Sequence, residues 1–268
     1  MQLSEPAEQG DLAVALTVAR SDWERGWVLA AMGAYGESLL ALDQVAQDLS
    51  LDPDQQALAR GTRASVYRQL ALHELAERES QAALAATTDP SIRASLLVGH
   101  VADALGLGQR ELWQSRVDAA TAAVKAHGDW RQQVRLAWVT GETAMYRRDP
   151  GAAAPYFAEA IVRAGERSAR RHEAKSHLFL AAAHAATGNR VAAAAHAQAA
   201  LALARSCGAR PLVWAAALVL AEVDDDRAGH VVLARTVLSE VLAGLDASLR
   251  QMALAREPAR GLLSGVSR

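Results

Sequence analysis

Small and apolar positions recur at three- and four-residue spacing from residue 11 to about residue 245, and the pattern returns after 37–41 residues. The stretches "RRDPGAAAPYFAEAI" (147–161) and "TGNRVAAAAHAQAAL" (187–201) show it most clearly. Aligned at their polar turns, they pair Ala153 with Ala193, Phe157 with Ala197 and Ala160 with Ala200, and upstream Gly141 with Ala181. Val117 and Ala120 precede this set, and Ala234, Leu238 and Val241 follow it. Earlier copies supply Ala76 and Ala83, then Gly33, Tyr35, Leu42 and Val45. Small residues at these places let two helices approach closely, and larger ones a turn later fill the gap between them. Gly, Asp or Asn marks the turn within each hairpin. One hairpin cannot bury its apolar face alone, so the repeat predicts hairpins stacked into a solenoid.

Six helix pairs are predicted, at 11–50, 54–88, 91–127, 130–168, 171–207 and 210–245. Asp52-Pro53 and Asp89-Pro90 separate the first three, because a residue before proline avoids helical backbone. Asp246 is placed to cap a last helix to about Glu257, covering the final hairpin. Residues 1–257 are read as one repeat domain and 258–268 as a loose tail.

The spacing resembles the tetratricopeptide repeat. "MYRRDPGAAAPYFAEAI" carries the likeness best, with Gly141, Ala153, Phe157 and Ala160 at that family's signature positions. "GWVLAAMGAYGESLLALDQVA" adds Gly26, Gly33 and Tyr35. Trp113 departs from the pattern, standing where a small residue is usual. The period exceeds the usual repeat of about 34 and is similar to that of arrays in bacterial signal-responsive transcription regulators. The resemblance covers roughly residues 11–245. It implies an all-α, right-handed superhelical solenoid of about six antiparallel helix pairs plus a C-terminal capping helix, with the first helix of each pair facing a concave groove.

Composition agrees with helix. Alanine occurs 62 times in 268 residues and proline 7 times, and alanine is the best helix former. The formal charge of −2 implies no general affinity for polyanions. The longest apolar run, after Lys175, is interrupted by His177, His184, Gly188, Asn189 and Arg190, so no membrane helix is predicted. "MQLSEPAEQGDL" lacks the basic start and apolar run of a secretory signal, which points to a cytoplasmic protein. The 26 arginines against 2 lysines fit a GC-rich bacterial genome.

The motifs of catalysis are missing, and no enzyme activity, cofactor or metal is predicted. His172 and His177 are five residues apart, about 140° around a helix, and do not share a metal-binding face. Asp224–Asp226 reads as a solvated turn and Cys207 as a passive thiol. Arg163, Arg167, Arg170, Arg171 and Lys175 form a basic cluster, but Glu159, Glu166 and Glu173 lie among them, so pairing within helices accounts for much of it.

Stepping from the packed stripe Ala137/Gly141/Ala144 identifies its neighbour as the groove-facing stripe: Arg135, Trp138, Glu142 and Tyr146. Equivalent places hold Val98 and Ala102 in the third pair, Lys175 and Leu178 in the fifth, Trp23 and Trp27 in the first, and Arg68 in the second. Trp and Arg combine apolar area with polar reach and are favoured binding anchors. Alternatively, Trp23, Trp27 and Trp138 fill gaps left by alanine in the core. The Lys and Asn that clamp terminal carboxylates in chaperone-binding members of the family are replaced here by Trp, Thr, Gly and Ser. The sequence therefore predicts a non-enzymatic bacterial scaffold holding a peptide or protein segment in its groove. Two other readings are a ligand-sensing array of the transcription-regulator type and an adaptor that self-associates through the Ala-rich fifth pair. Neither nucleic acid nor membrane is an expected partner.

Overall fold

The computed structural model describes residues 3–263, and among these every regular element is an α-helix. Six hairpins follow one another: α3 (Asp22–Met32) with α4 (Tyr35–Gln47), α5 (Pro53–Gln69) with α6 (His73–Ala86), and α7 (Pro90–Gly106) with α8 (Arg110–His127). Then come α9 (Trp130–Tyr146) with α10 (Pro150–Gly165), α11 (Arg170–Ala186) with α12 (Arg190–Ser206), and α13 (Arg210–Val223) with α14 (Arg227–Ala243). The helix starts follow from local chemistry. Asp52, Asp89, Asp129, Asp149, Asn189 and Asp226 each accept a backbone N–H of the first turn. Pro53, Pro90 and Pro150 sit just inside the start, where a missing N–H costs nothing.

The repeat positions form the inter-helix core. Ala153, Phe157, Ala160, Ala193, Ala197, Ala200, Ala234, Leu238 and Val241 are all buried. Gly141 has no room for a Cβ, because the Phe157 ring lies against it. Trp113 is buried too, and its indole N–H donates to the Ala104 carbonyl at 3.2 Å, so this copy of the repeat accepts a large residue.

Three features differ from the sequence reading. The first pair is shorter than 11–50, because two short helices, α1 (Glu5–Gln9) and α2 (Leu12–Val18), precede it. At the other end the cap is double: α15 (Ala247–Leu254) is followed by α16 (Ala259–Leu263). Residues 259–263 are therefore not a loose tail. Ala259 and Leu262 are buried, and Arg235 Nε donates to the Leu262 carbonyl at 2.7 Å. Residues 264–268 lie outside the described residues.

The third difference is the largest: the two ends of the array meet. Val28 and Ala31 of α3 pack in one cluster with Ala174, Ala204, Leu212 and Val213, and Ala7 and Leu12 of the N-terminal helices join them. Arg210 Nε donates to the Met32 carbonyl at 2.9 Å. Tyr35, Tyr67 and Leu72 share a second cluster with Leu238, Val241, Ala253 and Leu262. At this seam Gly36 faces the Gly244 carbonyl with no space for a side chain. Close approach of two backbones requires glycine there. The solenoid is thus closed, and its concave side becomes an interior.

Candidate functional site

That interior is a cavity of about 640 Å³ lined mainly by the first helix of the first five hairpins. Its size lies within the range of roughly 300–1,000 Å³ usual for small-molecule sites. The side chains reach it because positions 131, 135, 138, 142 and 146 lie along one face of α9, and α7 and α11 repeat that register forty residues away.

Of the residues expected in the groove, Trp23, Trp27, Arg68, Val98, Ala102, Arg135, Trp138, Glu142, Tyr146 and Lys175 line this one cavity. Leu178 does not. It packs instead against the cluster at the seam that holds Val28, Ala174, Ala204 and Val213. Trp138 lines the cavity only by an edge and is 5% exposed, against the expected solvent access. Its indole N–H donates to Ser176 Oγ at 2.8 Å, its ring stacks on His172 at 5.6 Å, and Phe179 meets it edge-on. Trp23 is similarly held, donating to Thr62 Oγ1 at 3.1 Å. These two tryptophans are struts of the cavity wall. Trp27 keeps partial exposure, and Tyr146 is 50% exposed at its edge.

The charged side chains fall into two groups. Arg68 pairs with the buried Asp103 at 2.8 Å, and Ser80 donates to the same carboxylate at 2.6 Å. Arg131 pairs with Asp129 and with Glu8 of α1, each at 2.9 Å. In contrast, Arg135 donates only to the Ser95 hydroxyl at 2.7 Å. Arg171 lies over the Trp27 ring at 5.7 Å, and Lys175 over Trp138 at 4.6 Å. None of these last three enters an ion pair among the described residues.

Their surroundings show in their acidities. Burial, with Arg68 nearby, lowers Arg135 to about 10. Burial lowers Lys175 to about 8, against the opposing pull of Glu142. The Glu142 carboxyl is raised by burial, with Lys175 acting the other way. His172 is held well below its ordinary value by burial and by Arg171, Arg131, Arg135 and Lys175, so its ring is neutral. Its buried Nδ1 has no hydrogen-bond partner. All four side chains keep some contact with the cavity: protein surrounds them, but one side faces open space.

The sequence reading missed Arg171 and His172 as cavity residues. Arg171 occupies the register of Arg131, forty residues on, and that offset was the available signal. The basic cluster divides in space. Arg163 pairs with Glu159 on its own helix at 2.7 Å, Arg170 approaches Asp11 at the seam, and Arg171 and Lys175 point inward. Asp226 of the acidic triplet caps α14, and Asp224 meets His230 at 3.1 Å. No described helix is long and apolar enough to cross a membrane.

No family model and no curated protein sequence matches the chain. Solved structures do. A Rap protein in complex with competence and sporulation factor superposes with a TM-score of 0.64 at 11% identity, over 97% of this chain and 80% of that one. Aspartyl phosphate phosphatase F from Bacillus subtilis gives a TM-score of 0.59 at 13% identity, over 96% and 67%. Identity this low bears on fold alone. With its repeated hairpins, buried small-residue register and these neighbours, the chain is a tetratricopeptide-like helical repeat protein.

Proposed function

We propose that the chain is a binding module whose interior cavity holds a short peptide segment. The observation that carries this reading is the cavity itself: about 640 Å³, with Arg135, Glu142, Arg171 and Lys175 on its wall and outside any ion pair among the described residues. Closure of the array sets the size of the ligand. The interior admits an extended segment or a small molecule, and it excludes a folded domain. The Rap structure complexed with competence and sporulation factor supports a ligand-holding role for this architecture. Nothing in this role requires catalysis.

A blocking variant tests it. Ala102 lines the cavity and is not fully buried, so the side chain of Ala102→Trp has the cavity to extend into. A fluorescein-labelled random hexapeptide pool should bind the wild-type protein and lose binding to Ala102→Trp, with unfolding midpoints close together. Undiminished binding by a folded Ala102→Trp variant would remove the cavity from the mechanism.

A further inference from the structure

We infer that the cavity selects an acidic ligand, whose carboxylates are held by Arg135, Arg171 and Lys175. This deepens the peptide reading above and rests on it.

Five cationic side chains line the interior: Arg68, Arg131, Arg135, Arg171 and Lys175. The carboxylates present are mostly engaged elsewhere. Asp103 lies behind Arg68, Asp129 faces Arg131, and Asp89 accepts the Ser91 and Ile92 amides as the cap of α7. Glu142 alone remains to offset Arg135, Arg171 and Lys175. The wall therefore carries an excess of positive charge, although the whole chain is slightly acidic. Arg135, Arg171 and Lys175 are partly buried and face the cavity, so their hydration is reduced and a negative group entering the cavity meets an unneutralised positive wall.

The geometry leaves the donors available. Arg171 and Lys175 rest on aromatic faces, which stabilise the cation and occupy none of its N–H groups. Arg135 spends one N–H on Ser95 and keeps four of its five donors. Guanidinium groups match a carboxylate with two parallel hydrogen bonds. The peptide-sized volume accommodates acidic side chains.

Three pools of acetylated, amidated pentapeptides provide the test. One carries Asp or Glu at two positions, the second has Asn or Gln at those positions, and the third Lys or Arg. Fluorescence anisotropy with the wild-type protein should show the acidic pool binding roughly tenfold or more tighter than its amide counterpart. The Arg135→Gln/Arg171→Gln double variant should lose that preference while still binding the amide pool. Glu142→Gln should strengthen acidic-pool binding. Circular dichroism checks folding, and if the double variant does not fold, each single Gln variant should show a reduced preference. Equal binding of acidic and amide pools, or a preference that survives in folded arginine variants, would overturn the carboxylate inference and leave the cavity reading standing. Binding of no pool would overturn both.

Discussion

Trp138 on α9 donates its indole N–H to the hydroxyl of Ser176 on α11 across 2.8 Å, and that hydroxyl donates in turn to the His172 carbonyl at 2.8 Å. The wall of the cavity and the packing of hairpins four and five are therefore one structure. Trp138→Ala should cost roughly 3–5 kcal/mol of folding free energy, as large aromatic truncations in cores do. Urea unfolding measures this, and a loss below about 1 kcal/mol would make the ring a surface anchor instead.

Gly36 meets the Gly244 carbonyl at the seam. Gly36→Leu should push the first hairpin away from the last and open the array. Small-angle scattering should show a larger radius of gyration with helical circular dichroism largely kept. An unchanged radius in a soluble, folded variant would mean that the ends do not need this contact.

Ala200 is fully buried between helices. Ala200→Leu should overpack that site and destabilise by roughly 1–3 kcal/mol. An unfolding midpoint equal to wild type would show slack in the repeat core.

Lys175 gives a pH signature. Its ordinary value of 10.5 falls to about 8 in the folded chain, so between these values the unfolded chain binds more protons. Stability contributed at this site therefore rises with pH from about 8 to 10.5. Glu142, Arg171, Arg135 and Arg68 are its charged neighbours. The difference between wild type and Lys175→Met isolates the lysine: the variant should lack this rise. Parallel pH profiles for the two proteins would place Lys175 in ordinary solvent.

Arg135 tests the cost of unpaired charge. Arg135→Met removes a partly buried cation that has no ion-pair partner among the described residues and gives up one hydrogen bond to Ser95. Thermal unfolding should be unchanged or improved by on the order of 1 kcal/mol, while acidic-peptide binding falls. A strongly destabilised variant would give Arg135 a structural role.

Much of this was legible in the sequence because the repeat is local. The forty-residue register identifies Ala153, Phe157 and Ala160 as core, and a step around the same helix identifies Arg135, Glu142 and Tyr146 as cavity wall. Closure was not legible. It is made of contacts between residues far apart in the chain and outside any repeat pattern, among them Gly36 with Gly244 and Arg210 with the Met32 carbonyl. The burial of Trp138 depends on His172 arriving from the next hairpin, which periodicity within α9 does not report. Leu178 obeys the stripe but packs into the seam cluster where the two ends of the array meet, a contact that no local period reports. The pairing states of Arg68 and Arg171 are likewise tertiary facts: Asp103 reaches one, and no carboxylate of the described residues reaches the other.

Photo-cross-linking locates the ligand most directly. A pentapeptide pool carrying a benzophenone side chain is irradiated with the protein, and the adducts are mapped by mass spectrometry. Adducts confined to the inner wall, at Ser95, Ala102, Trp138, Glu142 and their neighbours on α7, α9 and α11, are the expected result. Adducts on the outward faces of α8, α10 and α12, or none at saturating peptide, would contradict an interior binding site.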